Sequence, residues 1–277
     1  MIVFLFILAF VWVAFAVVQD LKTREIANWL NFSLIIFALA VRMFYSVFAD
    51  DYSFILFGIF GLGCGILLGN LFYYLRIFAG GDAKLLIALF VVIPVALTFY
   101  ENLIIFLIFV LALLFFGGIY SLIYSVGLSV FNWRLFSKEF KKQFVRRKIY
   151  FWVSLIFSLG FLILSFFTDL VFLFLGVSIF VLPYLYVYLK SVEVSALVRR
   201  VGVDVLTEGD WLVSKIKLGR RVVNPGWEGL SKNDLEFLQK NYKKKVVVKY
   251  GVPFSPAFLF ALLAIVLFLW NSFWGFW

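Results

Sequence analysis

The sequence predicts an all-α polytopic membrane protein of about eight transmembrane helices, with six to seven as the alternative count, and a small α+β cytoplasmic domain. Three observations predict it. Hydrophobic residues make up 65% of the chain and charged residues only 14%, where soluble domains carry about a quarter. Apolar runs of roughly 18 residues recur along its length, long enough to cross a bilayer as helices. The basic residues gather in alternate connections, the pattern of a chain oriented by the positive-inside rule.

The first run covers about 2–18. No Lys or Arg precedes it and no small-residue cleavage site follows, so it reads as an anchor and not as a removed signal peptide. Further runs cover about 29–48 and about 52–77. A fourth, about 83–99, is short and carries Pro94, and a fifth covers about 103–131. In the third, Gly61, Gly65 and Gly69 share one helix stripe, which favours close helix packing. Residues 132–148 hold Arg134, Lys138, Lys141, Lys142, Arg146, Arg147 and Lys148 and read as a basic amphipathic surface segment. Two additional spans follow at about 149–167 and 170–189.

Residues 191–252 are polar enough to sit in water. Strand propensity at 201–205 and 246–248 and a helix opening at Ser231 and running to Lys240 give them a mixed α+β character. Gly209-Asp210 and Pro225-Gly226 are turn signals. The last span begins near Pro253 and ends near Trp274. The expected division is therefore 1–131, a basic loop at 132–148, two extra spans within 149–190, the small domain at 191–252 and a final helix in 253–277.

With the N-terminus outside, the inner side receives Lys22, Arg24, Arg76, Lys84, the basic loop and the 190–249 segment. The outer side receives Asp50, Asp51, Glu101 and Asp169, and Arg42 is the one basic residue in the outer half. The net charge of +10 thus reflects orientation and contact with membrane lipids, not nucleic-acid binding. The chain has no His and a single Cys, Cys64. That excludes an intrachain disulfide, Cys/His zinc sites, histidine-dependent serine proteases and H-E-x-x-H metalloproteases. No metal or cofactor is expected. Hydrolytic chemistry would have to come from carboxylates, lysines, hydroxyls or tyrosines.

Two carboxylates stand out. Asp20 directly follows the first span, and Asp82 lies between the third and fourth behind Gly80-Gly81, which permit close backbone approach. The alternating topology puts both at the inner face. Such a pair suits peptide hydrolysis: one ionised carboxylate takes a proton from water, while its protonated partner donates to the carbonyl oxygen. Neighbouring like charges resist joint ionisation, so the pair shares a proton. The simpler alternatives are a helix-flanking charge for Asp20 and a helix N-cap for Asp82.

At these residues the chain resembles the archaeal type IV prepilin and preflagellin (pre-archaellin) peptidases, which are GxGD-type membrane aspartyl proteases. Asp20-Leu-Lys-Thr-Arg-Glu-Ile-Ala-Asn28 is similar to the family's first block, and Gly80-Gly81-Asp82-Ala83-Lys84 to its second. Val248-Lys-Tyr-Gly-Val-Pro-Phe-Ser-Pro-Ala-Phe258 resembles more weakly the entry to the last span. Ala79 stands at the first Gly of GxGD and Ala27 where proline is common. The two extra spans exceed the six of a preflagellin peptidase.

The resemblance implies Asp20 and Asp82 as the catalytic pair, with Gly80, Gly81, Lys22 and Lys84 supporting the motifs. It implies removal of short basic leaders from pilin-like or archaellin precursors at the cytoplasmic membrane face. Two other readings compete: a polytopic transporter with an acid relay, and a non-catalytic assembly platform. The first would need ionisable groups near the bilayer midplane, where the sequence offers little beyond Arg42.

Overall fold

The computed structural model describes residues 2–218, 221–224, 226 and 229–274. The chain forms two compact units, one of Met1–Leu122 with Val252–Trp277 and one of Ile123–Gly251.

The first unit is helical. It contains α1 (Ile2–Thr23), α2 (Asn28–Phe48), α3 (Ser53–Tyr74), α4 (Gly80–Val92), the start of α5 (Phe99–Phe131) and α10 (Ser255–Trp274). α4 is its centre: Leu85, Leu86, Ala88, Leu89, Phe90, Val91 and Val92 are all buried. Its neighbours present narrow stripes instead. On α1 the stripe is Leu5, Ala9, Val13 and Ala16, and on α2 it is Leu30, Leu34 and Ala38, at the three- and four-residue spacing of one helix face. The glycine stripe of α3 lies against α4. A Cβ at Gly65 would come within 2.9 Å of Phe90 Cβ, and one at Gly69 within 2.8 Å of Ile87 Cγ1. Since lipid is as apolar as these side chains, such close packing, and not escape from water, holds the helices together.

α4 has thirteen residues, about 20 Å at 1.5 Å per residue, short of the roughly 30 Å hydrocarbon thickness. It ends two residues before Pro94, which has no N–H for the next helical bond. Its last carbonyls are taken up by Arg42, a fully buried side chain one turn beyond Ala38 on the α2 stripe. Arg42 Nε donates to Val91 O at 2.8 Å, and Nη2 donates to Val92 O at 2.9 Å and Pro94 O at 2.6 Å. Nη1 donates to Phe54 O of α3 at 3.1 Å. The one basic residue assigned to the outer half, near the end of the second span, thus caps α4.

The second unit holds α6 (Trp133–Arg146), α7 (Lys148–Ser165), α8 (Leu170–Val192), α9 (Lys232–Asn241) and five short strands. β1 (Val198–Val201) and β2 (Trp211–Leu212) both pair antiparallel with β5 (Val246–Lys249), while β3 (Ile216–Leu218) and β4 (Arg221–Val223) form a hairpin. The strand expected at 201–205 lies earlier, because Gly202 interrupts it and Val203–Val205 form a single 3-10 turn that buries Val203. Ser231 caps α9 as expected, its hydroxyl accepting from the Asp234 N–H. Gly209 takes the positive φ expected of the Gly209-Asp210 turn; the Pro225-Gly226 turn includes Pro225, which lies outside the described residues.

Six helices among the described residues are long and apolar enough to cross a membrane: α1, α2, α3, α5, α7 and α8. Of the eight expected, α4 with thirteen residues and the Ser255–Asn271 part of α10 fall short of that length. The protein is a polytopic helical membrane protein with a small strand-containing region.

Candidate active site

Asp20 falls on the same stripe of α1 as Leu5, Ala9, Val13 and Ala16 and is only 6% exposed. Its place in the last helical turn is electrostatically awkward, since a helix C-terminus carries partial negative charge. The compensation comes from α10, where the Ser255 backbone N–H donates to Asp20 Oδ2 at 3.0 Å. Asp20 thereby satisfies a free donor at the start of a helix 235 residues away.

The chain leaves α1 through Arg24, at φ 60°, whose N–H returns to the Asp20 carbonyl at 2.8 Å, the single-bond left-handed helix ending. Ala27 has φ −62° and ψ 136°, angles a proline would also adopt. Its N–H donates to Gln19 Oε1 at 3.1 Å, a bond proline could not make. The linker is therefore tied down without the proline common at this position.

Asp82 sits in the first turn of α4, where a carboxylate is favoured by the helix dipole. The N-cap is Ala79, so the N-cap reading of Asp82 gives way to the third helical position, from which its carboxylate is bonded by the Ala79 backbone amide. Asp82 is 8% exposed, and the Asp20 charge acts on it.

Three contacts join the first block and the start of α2 to the second block. A Cβ on Gly81 would come within 3.2 Å of Ile26 Cβ, so the bare glycine lets the α1–α2 linker approach α4. Asn31 Nδ2 donates to Gly81 O at 3.3 Å, and Lys84 Nζ donates to Asn28 Oδ1 at 2.7 Å. Gly80 is less constrained, a Cβ there meeting Tyr73 at an ordinary 3.7 Å. Lys84 therefore acts as a tie between the blocks. Lys22 is exposed on α1 and makes no hydrogen bond or ion pair among the described residues.

An aromatic group adjoins these blocks. Phe78, just before Gly80, has ring centroids 5.1 Å from Phe72, 5.3 Å from Phe254 and 5.9 Å from Phe258. α10 thus supplies both a hydrogen bond to Asp20 and an apolar wall beside the Asp82 segment. Sequence reasoning left Ser255, Asn31 and Asn28 unassigned; only the weak likeness around 248–258 pointed toward Ser255.

Residues 7–122 match the model of the type IV leader peptidase family. The likeness to that family covers this segment, less than half of the chain. The leader peptidase match holds Asp20, Asp82 and both sequence blocks, and ends within α5; α6 to α10 lie outside it. The family implies a peptidase whose substrates are type IV pilin-like precursors. Comparison with curated proteins and with solved structures gives no match.

Proposed function

We propose that the protein is a membrane-embedded aspartyl endopeptidase that removes short basic leaders from type IV pilin-like or preflagellin precursors at the cytoplasmic face, with Asp20 and Asp82 as its catalytic pair. One observation carries the reading. Two buried carboxylates from separate helix ends interact electrostatically inside the segment that matches the leader peptidase family.

Each carboxylate has its own backbone donor, Ser255 N–H for Asp20 and the Ala79 amide for Asp82. The pair is held in place before substrate arrives. Sharing one proton, it presents a base for water and an acid for the peptide carbonyl, and on collapse of the tetrahedral intermediate the acid role passes to the leaving amine. A position at the membrane boundary suits a bond that lies between a basic leader and a hydrophobic helix. The basic connections of the first unit, with Lys22, Arg24, Arg76 and Lys84, support the inner-face orientation.

The test is leader removal in membranes carrying the protein, with a pilin-type and a flagellin-type precursor offered separately. The wild type cleaves at least one. Asp20→Asn and Asp82→Asn each insert and fold normally and lose about 10³-fold or more in rate. Full cleavage by either variant would remove that residue from the pair.

A further inference from the structure

Ser255 opens α10 and is fully buried. Its N–H is used on Asp20 Oδ2, yet its hydroxyl, buried with it, has no hydrogen-bond partner among the described residues. Such groups are rare, because a buried polar atom left unpaired carries the full cost of losing water. A serine at a helix start ordinarily directs its hydroxyl to an N–H of the same helix. Two local partners are closed: Pro256 has no N–H, and Ala257 N–H is taken by the Phe254 carbonyl at 3.0 Å. What remains is a hydroxyl with both donor and acceptor capacity on a residue already bonded to Asp20.

We propose that Ser255 is a third functional residue of this site, an inference that rests on the aspartyl peptidase reading. Its N–H fixes the orientation of the Asp20 carboxylate, and its hydroxyl supplies a hydrogen bond to the water or scissile peptide group received between Asp20 and Asp82. A hydroxyl suits that place because it accepts from water before proton transfer and donates after it. Held by the start of α10, it requires no reorganisation during the reaction. The site would then draw on both ends of the sequence, with α10 contributing from beyond the segment that matches the family.

The experiment compares the full-length wild type, Ser255→Ala, Ser255→Thr and Asp20→Asn on a type IV pilin precursor bearing a basic leader, together with thermal melting in detergent. Ser255→Ala keeps the N–H on Asp20 and loses only the hydroxyl. It should lower kcat about 10²-fold, leave KM within about twofold, and melt at or above the wild-type temperature, since an unpaired buried hydroxyl has been removed. Ser255→Thr keeps the hydroxyl and recovers part of kcat. Wild-type kcat in Ser255→Ala, with Asp20→Asn inactive, overturns the role of Ser255 and leaves the peptidase reading standing. A Ser255→Ala protein that no longer folds also overturns it, by showing that the hydroxyl is structural. A wild type that cleaves no leader overturns both.

Discussion

The two ends of α4 are treated in opposite ways. At its start, two carboxylates are buried close enough to repel, on a backbone held by a few hydrogen bonds and one bare glycine. At its end, the Arg42 guanidinium meets four carbonyl oxygens, three of them belonging to α4 and the residues just after it. Each charge has the sign the helix dipole prefers, acidic at the N-terminus and basic at the C-terminus. Only at the C-terminal end does an opposite-sign side chain gather several backbone groups, however; each carboxylate at the start has a single backbone donor. A helix too short to reach across the membrane needs its last carbonyls bonded inside the protein, because lipid offers no donor. Arg42 performs that service, and the other end holds the two carboxylates of the proposed catalytic pair.

That contrast is open to direct attack. The largest effect belongs to Arg42→Ala, which takes a charged donor from four carbonyls, three of them at the open end of α4. The loss should be about 3 kcal/mol or more, seen as a collapse of the monodisperse folded fraction in detergent. Asp82→Asn should change the same readout by less than about 1 kcal/mol, although it abolishes cleavage. If the two variants destabilise equally, the division of labour between the ends is wrong. A smaller effect separates the adjacent glycines: Gly81→Ala presses on Ile26 and should cost about 1 kcal/mol with a tenfold to hundredfold fall in cleavage, of the order expected when reacting groups shift slightly. Gly80→Ala has room and should behave as wild type in both assays.

The smallest effect concerns Asp51, an exposed acid in the α2–α3 turn at the Arg42 end. The Ser53 N–H and hydroxyl hold its carboxyl below the ordinary Asp range. A lowered folded-state value means its contribution to stability is present above the unfolded value of about 3.9 and fades as pH falls through the folded one. Asp51→Asn should therefore differ slightly from wild type in melting temperature at neutral pH and converge with it in acid. A gap that widens in acid would reverse the sign.

Much of this was legible in the sequence, for reasons that particular residues make plain. Uninterrupted apolar runs located α1, α2, α3, α5, α7 and α8 because lipid imposes length and composition together. Ser231 announced α9 because its cap is a local bond. Composition did not reveal that the fourth run would stop at thirteen residues and become the core, since membrane-facing and protein-facing residues are equally apolar here. Arg42 read as an exception to charge sidedness because its partners are backbone carbonyls 12 to 52 residues away, and carbonyls leave no mark in a sequence. The Val/Gly/Val/Asp/Val alternation at 201–205 suggested a strand, but pairing with β5 went to 198–201, which shares only Val201 with it. In the site, spacing and glycines marked Asp20 and Asp82. Ser255 stayed hidden because its bond to Asp20 runs from its main chain across nearly the whole polypeptide.

The bond between Asp20 and Ser255 also sets a clock. Ribosomes add about 5–20 residues each second, so the carboxylate emerges roughly ten to fifty seconds before the amide that orients it. During that interval the nascent chain shares the bilayer with other newly inserted proteins while carrying only part of its site. In the proposed peptidase the site is complete only when α10 arrives and its Ser255 N–H meets the Asp20 carboxylate.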